Sequence, residues 1–283
     1  MSELTLFYVA FIIQILLLSI YFPRRILSRM RYVMTNYPES THPKLYPQSI
    51  NVVEKLRRNY FVMNAFNVCL GLLILFFIYK GSLIGEEGVN PMLPWAYFMI
   101  QMLASMYLEF KGFKFAKMMK RADTRRNKSA DLQPRKFFDY MSPMLFVAVL
   151  AAYIASVGFV FYLEENPTNF PNTALLLSLI LLVGYVVFFT VISWMVYGKK
   201  CDPYQSQKDR VRTTKLAIQT QGYVLIAVAS FLSFSAANKV YQFNGIMPVA
   251  MSVYLQILVV ISMGYMLQKN RLKDIDFDVY KAQ

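Results

Sequence analysis

The sequence holds one histidine, His42, among its 283 residues. Zinc and di-iron centres draw on several imidazoles, and a histidine-activated nucleophile needs one beside the attacking group, so neither chemistry has the material it requires. No HExxH, GxxxxGK[ST] or GxSxG pattern occurs, which removes the common metalloprotease, phosphate-loop and nucleophile-elbow readings. Cysteine is nearly as scarce. Cys69 lies in an apolar run and Cys201 in a basic stretch, so a bridge between them would break the membrane topology derived below, and no disulfide framework is implied. Charged residues make up only 16% of the chain, and no polar stretch between the apolar runs exceeds about 40 residues, which leaves no room for a water-soluble catalytic domain. A non-enzymatic role is expected, with no cofactor and no metal.

What the sequence has in quantity is apolar surface. Hydrophobic residues are 57% of it, and the mean hydropathy is +0.38. A helix rising about 1.5 Å per residue needs roughly 20 apolar residues to cross a hydrocarbon core of about 30 Å. Seven runs approach that length: 4–22, 60–79, 95–110, 141–163, 173–197, 221–237 and 248–267. The third is short, and the sixth is rich in Ala and Ser. The expectation is an all-α integral membrane protein with seven transmembrane helices, forming a single polytopic domain over 1–283.

Lys and Arg stay on the cytoplasmic side of a membrane, whereas acids contribute little to orientation. Of the 30 basic residues, 28 fall in the stretches after the first, third, fifth and seventh runs. The other two, Lys80 and Lys239, share the opposite face with Glu3, Glu86, Glu87, Glu164 and Glu165. This alternation places the N-terminus outside and the C-terminus in the cytoplasm, in a plasma membrane or bacterial inner membrane. Pro23, Arg24 and Arg25 follow the first run where a cleavage site would need small residues, so that run reads as a retained anchor.

Pro91, Pro94, Pro143, Pro171 and Pro248 sit before a span or in its first turn, where a missing N–H costs little. None interrupts mid-span, which weighs against the broken helices of secondary transporters. Small residues at spacings of three and four (Ala148, Ala151, Ala152, Ala155 and Ser156; Ala229, Ser230, Ser233, Ala236 and Ala237) predict close approach of the fourth and sixth spans near the bundle centre. The first and fifth, built from Leu, Ile, Val and Phe, read as lipid-facing. Gly71, Gly158, Gly184 and Gly264 read as packing residues. Tyr46–Ser49 and Pro203–Ser206 are similar, but the match is too short to establish a repeat.

Two groups of residues stand out as candidate sites. Gln101, Ser105 and Glu109 stack four apart on one face of the third span, and Glu109 is the one acid inside a run. Asn67 and Gln256, with Gln14, Asn64 and Ser252, are further polar residues within spans that would converge with that face on a polar site. They serve equally well as hydrogen-bond partners between helices. The second group is a basic stripe. Lys111, Lys114, Lys117, Arg121, Arg125 and Lys128 recur at helical spacing beyond the third span, opposite Phe115, Ala116, Met119 and Ala122. Arg24, Arg25, Arg29 and Arg31 form a similar run after the first. Such stripes attract anionic headgroups of the cytoplasmic leaflet or an acidic protein partner. Nothing points to nucleic acid.

In the third cytoplasmic stretch, Asp202-Pro203-Tyr204 reads as a turn and Ser206 as the N-cap of a helix, with Asp209 three residues on. Asp274, Asp276 and Asp278 in the tail read as solvated. Seven spans invite comparison with retinal proteins and G-protein-coupled receptors, but the seventh has no Lys for a Schiff base and no NPxxY, and the third ends in Tyr107-Leu108-Glu109-Phe110 without a DRY-like triplet. The leading expectation is a sensor, scaffold or accessory subunit offering basic cytoplasmic helices to lipid or partner. The alternative is a small-solute or ion transporter or channel with its pathway near Glu109.

Overall fold

The computed structural model describes residues 2–85, 88–123, 135–164, 173–198 and 202–282. Seven long helices follow in order: α1 (Glu3–Asn36), α2 (Ile50–Tyr79), α3 (Met92–Ala122), α4 (Pro143–Leu163), α5 (Thr173–Tyr197), α6 (Gln207–Tyr241) and α7 (Asn244–Lys269). All but α3 are long and apolar enough to cross a membrane. In α3, Tyr97, Gln101, Tyr107 and Glu109 dilute the apolar residues of the N-terminal half. Serine hydroxyls start three of these helices by accepting an N–H of the first turn: Ser2 from Thr5, Ser142 from Leu145 and Ser206 from Asp209. Most helices outrun their hydrophobic segments, because hydropathy marks only the part suited to lipid. Thus α2 begins at Ile50 rather than 60, and α6 at Gln207 rather than 221.

Helix directions follow from which residues meet. Gln14 meets Pro94 and Ser252, and further along Ser19 meets Gln101 and Arg29 meets Leu267, so α1, α3 and α7 run parallel. Asn67 meets Tyr97 and Asn59 meets Tyr107, so α2 is antiparallel to α3. The antiparallel pairings Val149 with Tyr185 and Glu164 with Ala174 join α4 to α5. α6 meets α7 in the same antiparallel sense, at Gln219 with Tyr265 and Phe231 with Tyr254.

Four buried apolar clusters result among the described residues. In α1, α2, α3 and α7, one holds Phe7, Phe11 and Tyr97 and another Leu18, Phe22 and Leu255. In α4, α5 and α6, one holds Val149, Tyr185, Phe188, Ile192 and Ile218 and a smaller one Val160, Ala174 and Ala236. The expected approach of α4 and α6 is present, with the Ser156 hydroxyl 3.0 Å from the Ala229 carbonyl and 2.8 Å from Ser233 Oγ, but not their expected place at the bundle centre, since α6 is the least enclosed of the six apolar helices. α5 presents Leu176, Leu179, Ile180 and Val183 outward, as its composition suggests. α1 corrects the expectation of a lipid-facing helix: Phe7, Phe11, Gln14, Ile15, Leu18 and Phe22 are buried, and it is the most enclosed of the six apolar helices. Lipid and protein interior are equally apolar, so a Leu-rich helix is compatible with either.

α1 also continues through Pro23 into its basic segment. The turn before it, Leu16–Tyr21, is a π-helix, closed by the Phe22 N–H on the Leu17 carbonyl. A proline lacks the N–H for the carbonyl four residues back and its ring collides with that carbonyl, and the widened turn shifts the register where this conflict falls. A second π-helical turn, Val260–Gly264, lies in α7.

The C-terminal tail is the largest departure from expectation. The side chains of Asp274, Asp276 and Asp278 are exposed, as their composition suggests, but the chain between them is docked, with Phe277 and Tyr280 buried. Phe277 stacks on Tyr37 with ring centroids 4.1 Å apart. Asp209, only 3% exposed, is the hub. Its carboxylate pairs with Arg212 at 2.8 Å and accepts from the Ser206 hydroxyl at 2.8 Å and the Asp276 N–H at 3.0 Å. Arg212 in turn donates to the Asp274 carbonyl at 2.6 Å. The Tyr280 hydroxyl donates to Asp202 at 2.5 Å. Burial, and then the neighbouring Asp202 carboxylate, push the Tyr280 phenol well above its ordinary range.

Gly71 shows how tightly α2 approaches its neighbours. A Cβ there would lie 2.5 Å from the Tyr97 hydroxyl and 2.8 Å from Ile15, whereas one on Gly158 or Gly184 would meet nothing within 4 Å. Gly71→Ala is therefore expected to destabilise the protein by about 1–3 kcal/mol. Gly158→Ala is expected to be neutral or slightly stabilising, by up to about 1 kcal/mol. Thermal melting in detergent checks both, and equal melting of the two variants would refute the close-approach account.

Candidate functional site

The polar residues of α1, α3 and α7 meet in one buried chain of hydrogen bonds. Gln256 donates to the Ala10 carbonyl at 2.9 Å and to Ser252 Oγ at 3.2 Å. Ser252 donates to Gln14 Oε1 at 2.7 Å. Gln14 spends its two N–H donors on the Pro94 carbonyl and on Gln101 Oε1, each at 3.2 Å. Gln101 then donates to Ser19 Oγ at 2.8 Å. The spacing that stacked Gln101, Ser105 and Glu109 on one face does not carry all three inward. Gln101 is buried in the chain, Ser105 is half-buried toward Tyr60, and Glu109 is exposed. Asn67 lies off the chain on α2, where its carbonyl accepts from Tyr97 at 2.7 Å and its buried Nδ2 has no partner. Ser19 and Tyr97 were not singled out by sequence, because an isolated Ser or Tyr in an apolar run is ordinary. No side chain in this chain of bonds carries a charge, and each is engaged with another. Its chemistry is that of a clasp between three helices.

The alternating helix directions bring the basic segments to one end of the bundle. The C-terminal ends of α1, α3 and α7 meet the N-terminal ends of α2 and α6 there. Lys114, Lys117 and Arg121 are exposed on α3, and Lys111 is half-buried with its ammonium 5.5 Å from the Tyr107 ring centroid. Phe115 and Met119 turn the opposite way, Met119 being buried. Arg125 and Lys128 lie outside the described residues. Arg24 and Arg25 are exposed, and Arg25 reaches the Tyr21 hydroxyl at 3.2 Å. Arg29 differs from the expectation of a free surface cation. It donates to the carbonyls of Leu267 at 3.2 Å and Asn270 at 2.6 Å, satisfying the C-terminal end of α7.

A recess of about 450 Å³ between α1 and α2, lined by Arg31, Lys55, Arg57 and Arg58 against a single acid, Glu54, extends this basic surface. Arg31 belongs to the basic run legible after the first span, whereas Lys55, Arg57 and Arg58 on α2 precede the apolar run and look like loop. Among the described residues, no group of three or more His, Cys, Asp or Glu is arranged to hold a metal. The chain matches no protein-family model, no curated protein and no solved structure.

Proposed function

We propose that this chain is a seven-span integral membrane protein, N-terminus outside and C-terminus in the cytoplasm, that acts without catalysis as a sensor, scaffold or accessory subunit. Its basic cytoplasmic end engages anionic lipid. The observation that carries this reading is the convergence on one end of the bundle of Lys114, Lys117 and Arg121 with Arg24, Arg25 and the basic recess. Positive charge collected on one side marks the cytoplasmic face, in a plasma membrane or bacterial inner membrane. α3 supports the seventh span, since it packs antiparallel to α2 and parallel to α1 at the same level as the apolar segments. The closed hydrogen-bonding of Gln14, Gln101, Ser252 and Gln256 and the exposure of Glu109 favour this reading over a solute pathway along α3.

The test reverses the α3 stripe, as Lys114→Glu, Lys117→Glu and Arg121→Glu together, and counts retained phosphatidylglycerol and phosphatidylcholine by native mass spectrometry of the full chain in mild detergent. Each charge near an anionic surface contributes about 1 kcal/mol, so retention of phosphatidylglycerol is expected to fall at least about fivefold while phosphatidylcholine is unaffected. Unchanged retention of phosphatidylglycerol would refute the reading. An acidic protein that stays bound in place of lipid, and is lost from the triple variant, would replace lipid by a protein partner.

A further inference from the structure

The two π-helical turns meet each other. Phe22, which closes the first in α1, packs its ring against Gly264, which ends the second in α7, at 3.4 Å from the position of a Cβ there. Beside this contact a cleft of about 820 Å³ opens between α1, α6 and α7. That volume lies within the range of small-molecule sites, about 300–1,000 Å³, and π-turns occur disproportionately at such sites.

The lining is sorted by depth. Leu17, Ile226, Ala227, Val260 and Ile261 form the end toward the bundle middle. Arg25, with the hydroxyls of Tyr21, Tyr223 and Tyr265 and the amide of Gln268, belongs to the basic end. Among the described residues no acid lines the cleft. The Arg25 guanidinium donates to the neutral Tyr21 phenol at 3.2 Å, and among the described residues no carboxylate pairs with it. A second recess of about 540 Å³, lined by Arg24, Arg25, Ser28 and Tyr21, opens on the other side of the same two residues. An apolar slot ending at such an arginine is complementary to an amphiphile with one anionic head.

We infer that the cleft between α1, α6 and α7 is a binding site for one anionic phospholipid, with its phosphate at Arg25 and an acyl chain along Ala227 and Val260. The inference rests on the reading that the basic end engages anionic lipid, and it adds a defined site to that diffuse attraction. The cation at the mouth selects the head, and the apolar walls accept a chain without any polar group having to be desolvated unpaired.

The experiment uses the full chain in mild detergent with phosphatidylglycerol carrying a diazirine on one acyl chain, irradiated and mapped by peptide mass spectrometry. Adducts are expected on Ile226, Ala227, Val260 and Ile261, and Arg25→Gln should lower them about fivefold, with recovery in Arg25→Lys. Ala227→Phe fills the slot and should abolish them. Ile261→Trp, filling the same slot from α7, gives an independent variant should the first fail to fold. Adducts spread as densely over the exposed face of α5, or equal labelling by the phosphatidylcholine analogue, would overturn the site. The α3 triple reversal separates the two readings. Lipid retention lost there without adducts in the cleft removes this inference alone, and adducts that persist while retention is insensitive to the stripe remove the broader one.

Discussion

Asp209→Ala should release the C-terminal tail and lower the stability of the basic end of the bundle by about 3–5 kcal/mol, the usual consequence of removing one member of a buried ion pair. The substitution leaves Arg212 without its carboxylate partner and removes the acceptor of the Ser206 hydroxyl and the Asp276 N–H. Because that N–H and the Arg212 contact to the Asp274 carbonyl hold the tail to α6, the damage is concentrated where Phe277 and Tyr280 are seated. Trypsin sites at Lys269, Arg271 and Lys273 report it directly. Cleavage should be slow in the parent chain and fast in Asp209→Ala, with Asp209→Asn between them because the amide oxygen still accepts but the charge is gone. Equal cleavage of all three would show that the hub does not anchor the tail. The raised Tyr280 phenol fixes the pH dependence. A folded-state pKa above the unfolded value near 10 stabilises the docked tail at neutral pH, and that contribution is lost only as the pH climbs beyond about 10.

Gln14→Leu is the second large effect, expected at about 2–4 kcal/mol. Hydrogen bonds between membrane helices contribute about 0.6 kcal/mol on average and up to about 1.7. Gln14 makes three, to Pro94, Gln101 and Ser252, and its removal strands buried partners as well. The comparison is with Glu109→Gln, expected to leave melting unchanged because Glu109 is exposed. A double-mutant cycle with Gln101→Leu should be strongly non-additive, since the two amides share one bond. A cost for Gln14→Leu below that of an ordinary apolar core substitution, or full additivity with Gln101→Leu, would show that the clasp does not act as a unit.

These two residues differ in how far sequence reveals them. Gln14 is visible as an amide inside an apolar run, but its three partners lie 80, 87 and 238 positions away in the chain. The role of Ser206 as a cap is local and was legible, whereas Asp276, which completes the Asp209 hub, comes from 67 residues further on. The face holding Gln101, Ser105 and Glu109 illustrates the limit of periodicity. A shared helix face says that side chains are stacked, but along the length of α3 that face passes from the bundle interior at Gln101 to the exposed surface at Glu109.

By itself the sequence determined the apolar segments, the collection of Lys and Arg in alternate connections, the small-residue meeting of α4 and α6 and the Ser206 cap. Each of these depends on transfer into lipid, on the sign of charge or on contacts within a turn or two, all of which a linear pattern carries. Only the tertiary structure decided that α1 is central where α5 is peripheral, that Arg29 closes α7, that the acidic tail is clamped, and that two π-turns leave a cleft beside Arg25. The reason is that lipid and protein interior solvate an apolar side chain alike, so hydropathy is blind to which neighbour a helix faces, and that choice belongs to packing among residues far apart in the chain.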